Sequence, residues 1–177
     1  MTLEDLLEAR RQGQTLDFLF FWGHRSGKQL TASCFSQWYP APFALGAHKY
    51  PTAEHYMMAE KARLFEDAQK LSEILAAPDP DRAKALGRKV AGFDPVRWQA
   101  AAYDIVVAGN LAKFSQNPPL RDFLLNTGSK VLVEASPVDA IWGIGLHRDD
   151  PRAEHPEQWP GQNLLGFALM EVRARLS

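Results

Sequence analysis

Three helix starts written in the same way constrain this chain most. Asp79-Pro80, Asp94-Pro95 and Asn117-Pro118 each place a short polar residue directly before a proline. The polar side chain can accept from a free backbone N–H of the first helical turn. Proline has no N–H to lose there, and its φ is already helical. A chain punctuated like this cannot be mainly β. The first of these helices is expected to end near Gly87. The second carries Val96, Ala100, Tyr103, Val107, Leu111 and Phe114 at spacings of three and four, which makes it the longest helix and the central one. The third closes at Thr127-Gly128, where glycine suits a left-handed cap.

Other helices fill in around these. Thr2 and Asp5 flank a short amphipathic start with Leu3, Leu6 and Leu7. Asp67 to Ala77 reads as a helix stopped by Pro78, and Asn163 caps a last helix with Leu165, Leu169, Val172 and Leu176 on one face. Aromatic-rich or alternating stretches predict strands at Leu16 to Trp22, Gln29 to Phe35 and Lys130 to Glu134, with a short extended piece near His48-Lys49-Tyr50. Ser36 to Phe43 reads as a loop bracketed by prolines, and His147 to Gly161 as an exposed loop. The expected fold class is α+β, a predominantly α-helical single domain over residues 1–177 with a small β-sheet and a core from about residue 16.

Composition enters as a set of exclusions. With 177 residues, 46% apolar content and five Trp, the chain has enough apolar material for one sizeable core. A formal net charge of −1 supplies no global positive field toward nucleic acid or an anionic membrane. The single cysteine, Cys34, excludes an internal disulfide and a cysteine-based zinc site. His24, His48, His55, His147 and His155 show no HExxH or paired ligand spacing, so no metal site is expected. No signal peptide or membrane span is visible, and a cytoplasmic location is the default.

Chemistry is concentrated in Tyr50 to Lys61. Thr52 is a candidate N-cap after Pro51. Glu54, Met58, Lys61 and Phe65 then fall within about 60° of one another on a helical wheel. Two charges therefore sit in an apolar stripe, and burying charge is unfavourable unless it is paired or used. Glu54 and Lys61 are two turns apart, about 10 Å of rise, too far for an ordinary ion pair. They can still reach one ligand from the same wall. A carboxylate there can move a proton, and a desolvated lysine can attack a sugar C1 or hold an anion. The alternative is a partly exposed helix edge, which pattern alone favours, because charge runs usually line solvated faces.

Asp139-Ala-Ile-Trp-Gly-Ile-Gly145 is a second candidate, with an acid, a stacking indole and glycines that let backbone approach a ligand. A core Trp142 in a tight turn accounts for it equally well. Trp22, Ser36, Trp38, Phe43 and Trp98 form a scattered set, and Arg82, Lys84, Arg88, Lys89 and Arg97 a local basic stretch able to touch phosphates.

An ordered series of motifs then brings in a family. It comprises Phe35-Ser36, Pro40-Ala-Pro-Phe43, Tyr50-Pro-Thr-Ala-Glu54 with Lys61, Gly87-Arg88, Arg97-Trp98, Lys113-Phe114, Glu134-Ala-Ser-Pro, Asp139, Trp142-Gly-Ile-Gly145 and Gly161-Gln-Asn163. From about Phe18 to Leu176 this resembles the NADAR superfamily, the YbiA-like N-glycosidases. Gln37-Trp38 stands where many members have Asn-Phe. The resemblance implies hydrolysis of the bond between a ribose C1 and a nitrogen. The substrate would be ADP-ribose on guanine in DNA or RNA, or the phosphoribosylamino-pyrimidine intermediates of riboflavin synthesis. It also implies Glu54, Lys61 and Asp139 as catalytic residues. Trp22, Ser36, Arg88, Arg97, Trp98, Trp142, Gly143 and Asn163 would contact an ADP-ribose-containing or phosphoribosyl partner. No metal or redox cofactor is implied. A non-catalytic ADP-ribose reader is the competing expectation from another class.

Overall fold

The computed structural model describes residues Met1–Ser177. In chain order it contains α1 (Leu3–Arg11), β1 (Phe18–Phe21), a 3₁₀ turn at Ala32–Phe35, β2 (Phe43–Leu45), β3 (His48–Tyr50), α2 (Ala53–Leu64), α3 (Ala68–Leu75), α4 (Pro80–Gly87), α5 (Pro95–Gln116), α6 (Pro118–Leu125), β4 (Val131–Glu134), a second 3₁₀ turn at Pro156–Gln158 and α7 (Leu164–Leu176). The architecture is α+β and mostly helical, as the capping pattern predicts.

Two of the three proline starts are capped as expected. The Asp79 carboxylate accepts from the Arg82 N–H at 2.8 Å. The Asp94 carboxylate accepts from Val96 and Arg97 at 2.8 and 3.0 Å. Each such cap stabilises its helix by about 1 kcal/mol. Asn117 differs, because its amide donates to the carbonyls of Pro42 and Lys113 instead of capping α6. α5 is the longest helix and packs against α2 on one side and α7 on the other. Gly109 permits the closest approach, since a Cβ there would lie 2.5 Å from the Tyr56 ring.

The β content forms two separate pairs. β1 and β4 are parallel, with Phe18 opposite Val131 and Phe21 opposite Glu134. β2 and β3 form a hairpin closed by Gly46-Ala47, with Gly46 at φ 61°. A 38-residue hydrophobic core runs through all the layers.

Three expectations need correction. Gln29 to Phe35 is not a strand: Thr31 accepts from the Ser33 N–H and starts a 3₁₀ turn, a local side-chain bond that diverts the backbone from a ladder. His147 to Gly161 is not simply exposed. Ala153, Pro156 and Trp159 are buried, and the Trp159 indole N–H donates to the Ala153 carbonyl at 2.8 Å. Asn163 stands before α7 but makes no capping bond. It sits at φ 55°, in the left-handed region, with its side chain turned to β4.

Candidate active site

α2 supplies one wall of a cavity of about 600 Å³. Its start is well satisfied. The Thr52 hydroxyl accepts from the His55 N–H, and the Gln37 carbonyl accepts from the Glu54 N–H at 2.9 Å. Glu54, Met58 and Lys61 all face the cavity. The charged stripe is therefore a cavity wall; Glu54, only 5% exposed, is no helix edge. Phe65 leaves the stripe at the end of α2 and packs edge-on to Phe93, with ring centres 5.4 Å apart.

The opposite wall is the end of β4 and the loop that follows it. Glu134 is the last residue of β4, at the carboxyl end of the parallel pair. Its N–H donates to Asn163 Oδ1 at 2.9 Å, and its carbonyl accepts from the Ile144 N–H at 2.9 Å. Asp139 Oδ1 accepts from the backbone N–H of Ile141 and Trp142 at 2.9 and 2.8 Å. The loop is stitched to the start of α7 through Gly161 to Ile144, Gln162 to Ala140, Asn163 to Gly143 and Leu165 to Trp142 backbone bonds. Gly143 makes this possible: a Cβ there would lie 2.8 Å from the Glu134 carbonyl oxygen and 2.9 Å from that of Asp139.

Ser36, Gln37 and Trp38 close a third side. They are held from below by Lys113, which is fully buried in α5 and donates to the carbonyls of Cys34 and Ser36 at 2.7 and 2.9 Å. No carboxylate pairs with it, and burial pulls its ammonium down to about 7. Asn110 also supports this side, donating to Gln37 Oε1 at 2.8 Å. α4 adds Lys84 and, as its C-cap, Arg88, and α5 adds Trp98.

The electrostatics are unusual for so small a space. Burial pushes the Glu54 carboxyl up to about 7, with Lys84 and the Trp38 side chain pulling it back and Asp139 raising it further. Burial, then Asp139 and Glu54, push Glu134 up to about 8. Lys61 lies over two aromatic faces, 4.1 Å from the Phe93 ring centre and 5.5 Å from that of Trp98. Burial first, and Arg88 second, lower its ammonium. Shifted acids and a shifted amine in one cleft make this cavity the candidate site. No group of three or more His, Cys, Asp or Glu side chains is arranged to hold a metal ion.

Of the residues singled out from sequence, Glu54, Lys61, Asp139, Ser36, Arg88, Trp98 and Trp142 line this cavity. Four do not. Trp22 is 52% exposed and packs edge-on to His147, 5.7 Å away. Arg97 bonds the Leu64 carbonyl and covers Phe65. Gly143 and Asn163 are buried supports, behind the wall and not in it. Glu134, Lys84, Met57 and Met58 also line the cavity, though none was expected as a catalytic or substrate-binding residue. Lys84 was legible only as part of a basic stretch. Glu134 stood in the motif series without a role, because the end of a strand looks the same whether it opens on solvent or on a site.

The family model of the NADAR domain matches residues 20–177. An N-glycosidase of Acanthamoeba polyphaga mimivirus is 43% identical over 165 residues, covering 90% of this chain and 96% of that protein. The N-glycosidase YbiA of Escherichia coli is 33% identical over 145 residues, covering 82% of this chain and 80% of that protein. An NMR structure of E. coli YbiA superposes with a TM-score of 0.68 at 28% identity, over 92% of this chain and 86% of that one. The chloroplastic riboflavin biosynthesis protein PYRR of Zea mays is 35% identical over 134 residues, 72% of this chain but 20% of that protein.

Proposed function

The chain belongs to the NADAR family, and from that premise we propose that it is an N-glycosidase that hydrolyses the bond between a ribose C1 and a base nitrogen. The observation that carries the reading is Glu54: a buried carboxyl, held near 7, facing a cavity shared with Lys61 and Asp139. An acid with a pKa near the working pH can give a proton to a departing base and take one back.

As the C1–N bond breaks, its electron pair goes to the base, and the Glu54 proton goes to the base nitrogen. Lys61 Nζ bonds to C1. The ring oxygen leaves C1 with its electron pair and takes the proton that Nζ sheds, which gives a protonated imine. Water then adds to C1 and gives a proton back to the Glu54 carboxylate; the new hydroxyl passes its proton to Nζ as the C1–Nζ bond breaks, which restores the amine and leaves a sugar aldehyde that recloses. The lowered ammonium of Lys61, free of any carboxylate partner and set over Phe93 and Trp98, supports the amine in this role. Asp139, fixed by two backbone N–H groups, orients the ribose or the water. Trp98 and Trp142 stack on the nucleotide, Arg88 and Lys84 meet phosphate, and the Ser36 side supplies polar contacts.

The preferred substrate is ADP-ribose linked to guanine. Support comes from the cavity lining, where Val138 and Ile141 are exposed apolar residues. A lining of that kind suits a ligand with a second nucleoside half beyond the reacting ribose. The second reading, a phosphoribosylamino-pyrimidine, is favoured by the relative named for riboflavin biosynthesis. Incubation with ADP-ribosyl-guanosine and with the phosphoribosylamino-pyrimidine in parallel, with product analysis, tests both. Free guanosine plus ADP-ribose is the expected result. Release from the pyrimidine alone reverses the order, and binding without release makes the protein a reader.

A further inference from the structure

Glu134 has a backbone that is fully committed and a side chain that is not. Its N–H and carbonyl are bonded to Asn163 and Ile144, yet its Oε2 is enclosed and has no hydrogen-bond partner in the protein. The residue lines the cavity. The groups acting on it come from three elements. Glu54 approaches from α2, Asp139 from the loop after β4, and Lys84 from α4. The residue opposite in β1 is Phe21, and α7 presents Leu165, both apolar. Burial and the two neighbouring acids favour the neutral form of the Glu134 carboxyl, and Lys84 opposes them.

We propose that Glu134 is a further catalytic residue of this site, a neutral carboxyl that donates a hydrogen bond to an acceptor atom of the bound N-glycoside. This rests on the N-glycosidase reading. A carboxylate offers only acceptors, whereas a neutral carboxyl carries a donor. Among the other donors in the cavity, Lys61, Lys84 and Arg88 are cations. A neutral donor is suited to an uncharged oxygen or nitrogen of sugar or base, where a cation would favour a phosphate. The ligand would also answer the unpartnered oxygen, the one enclosed carboxyl oxygen of the cavity that the fold leaves unsatisfied. Burial and the two neighbouring acids, which push Glu134 up to about 8 against the opposing pull of Lys84, agree with a proton held at neutral pH.

The test compares wild type, Glu134→Gln and Glu134→Ala for base release between pH 5.5 and 9.5, with thermal unfolding and ADP-ribose calorimetry on the same samples. Gln keeps a neutral donor and the same shape. The expected result is that Gln retains activity within about threefold at pH 7 and falls above pH 8 with one ionisation, that of Glu54, where wild type falls more steeply with two, while Ala loses at least about 30-fold. Gln as inactive as Ala, with its fold intact, would mean that a charged carboxylate is needed and overturns the proposal. An unchanged alkaline fall in the Gln variant also overturns it, as does Ala with normal turnover. If wild type releases no base from either N-glycoside, the N-glycosidase reading fails separately, and the role of Glu134 is then read from calorimetry alone. There, binding by wild type that weakens above pH 8 and by Gln that does not sustains the donor role, and identical profiles sink it.

Discussion

The Glu54 backbone N–H donates to the Gln37 carbonyl at 2.9 Å, so the helix turn that carries the acid is tied to the loop that carries Trp38. Both residues also face the cavity. One backbone bond thus sets two walls relative to each other, and the same loop is held from behind by Lys113. Loss of activity at this site can therefore come from lost chemistry or from lost positioning, and the two have different readouts.

Glu54→Gln isolates the chemistry. The amide fills the same space, so circular dichroism should be unchanged while base release falls about 100-fold or more. Stability supplies a second reading. The carboxyl is raised from 4.5 to about 7 in the folded chain. Its contribution is fully present below 4.5 and is lost as pH rises through 7. The Tm of Gln relative to wild type should therefore climb between pH 4.5 and 7 and level off above. A flat difference across that window would contradict a buried, proton-retaining Glu54.

Lys61 is separated from a simple cation by its own pair of variants. Borohydride added during turnover should leave a sugar adduct on Lys61, located by peptide mass mapping. Lys61→Arg keeps a charge over Phe93 and Trp98, yet a guanidinium is always protonated and is no nucleophile. It should be as inactive as Lys61→Ala. Substantial activity in the Arg variant would assign Lys61 to charge stabilisation, and an adduct on Lys84 would move the amine role to α4.

Lys113→Met should act through position. The carbonyls of Cys34 and Ser36 lose their donor, the Ser36–Trp38 side loosens, and KM should rise several-fold with a smaller change in kcat. The folded Lys113 titrates at about 7, well below its usual 10.5. Its stability contribution is present above 10.5 and is lost as pH falls through 7. The Tm of the Met variant should therefore gain on wild type as pH is lowered from 10 to 7. Loss of kcat alone at an unchanged KM would contradict a positioning role.

Gly166→Ala tests the seam behind the second wall. A Cβ at this position would lie 2.1 Å from the Leu132 carbonyl oxygen and 2.5 Å from Asn163 Nδ2. Backbone cannot move aside as a flexible side chain can, so urea unfolding should show a loss of about 3 kcal/mol. Gly46→Ala is the control. Unlike Gly166 it has positive φ, 61°, and it meets nothing within 4 Å. It should lose only about 1 kcal/mol, the penalty for a left-handed alanine.

Helix starts were the most legible level of this chain, because a cap and a proline act within four residues. Asp79 and Asp94 needed no tertiary context to do their work. Asn117 reads the same way in sequence but is recruited by the Pro42 carbonyl from across the fold. The 3₁₀ turn at Ala32–Phe35 was hidden by β-favouring residues around it; one Thr31 hydroxyl decides it. Of the β2–β3 hairpin only β3 was legible, as the short extended piece near His48-Lys49-Tyr50; the three residues of β2 carry too little alternation to register.

By itself the sequence determined which residues are chemically unusual. The spacing of Glu54, Met58 and Lys61 put them on one face, and the motif order placed Asp139 and Trp142 beside them in function. It could not say that the face is buried, because burial depends on what packs over it. Only the tertiary structure decided that Glu134 joins Glu54, that Lys84 acts on both acids, and that Asn163 braces β4 behind the cavity wall. The physical reason is the same in each case. A residue's type is local, but its charge state and its partners are set by neighbours that lie dozens of residues away in the chain.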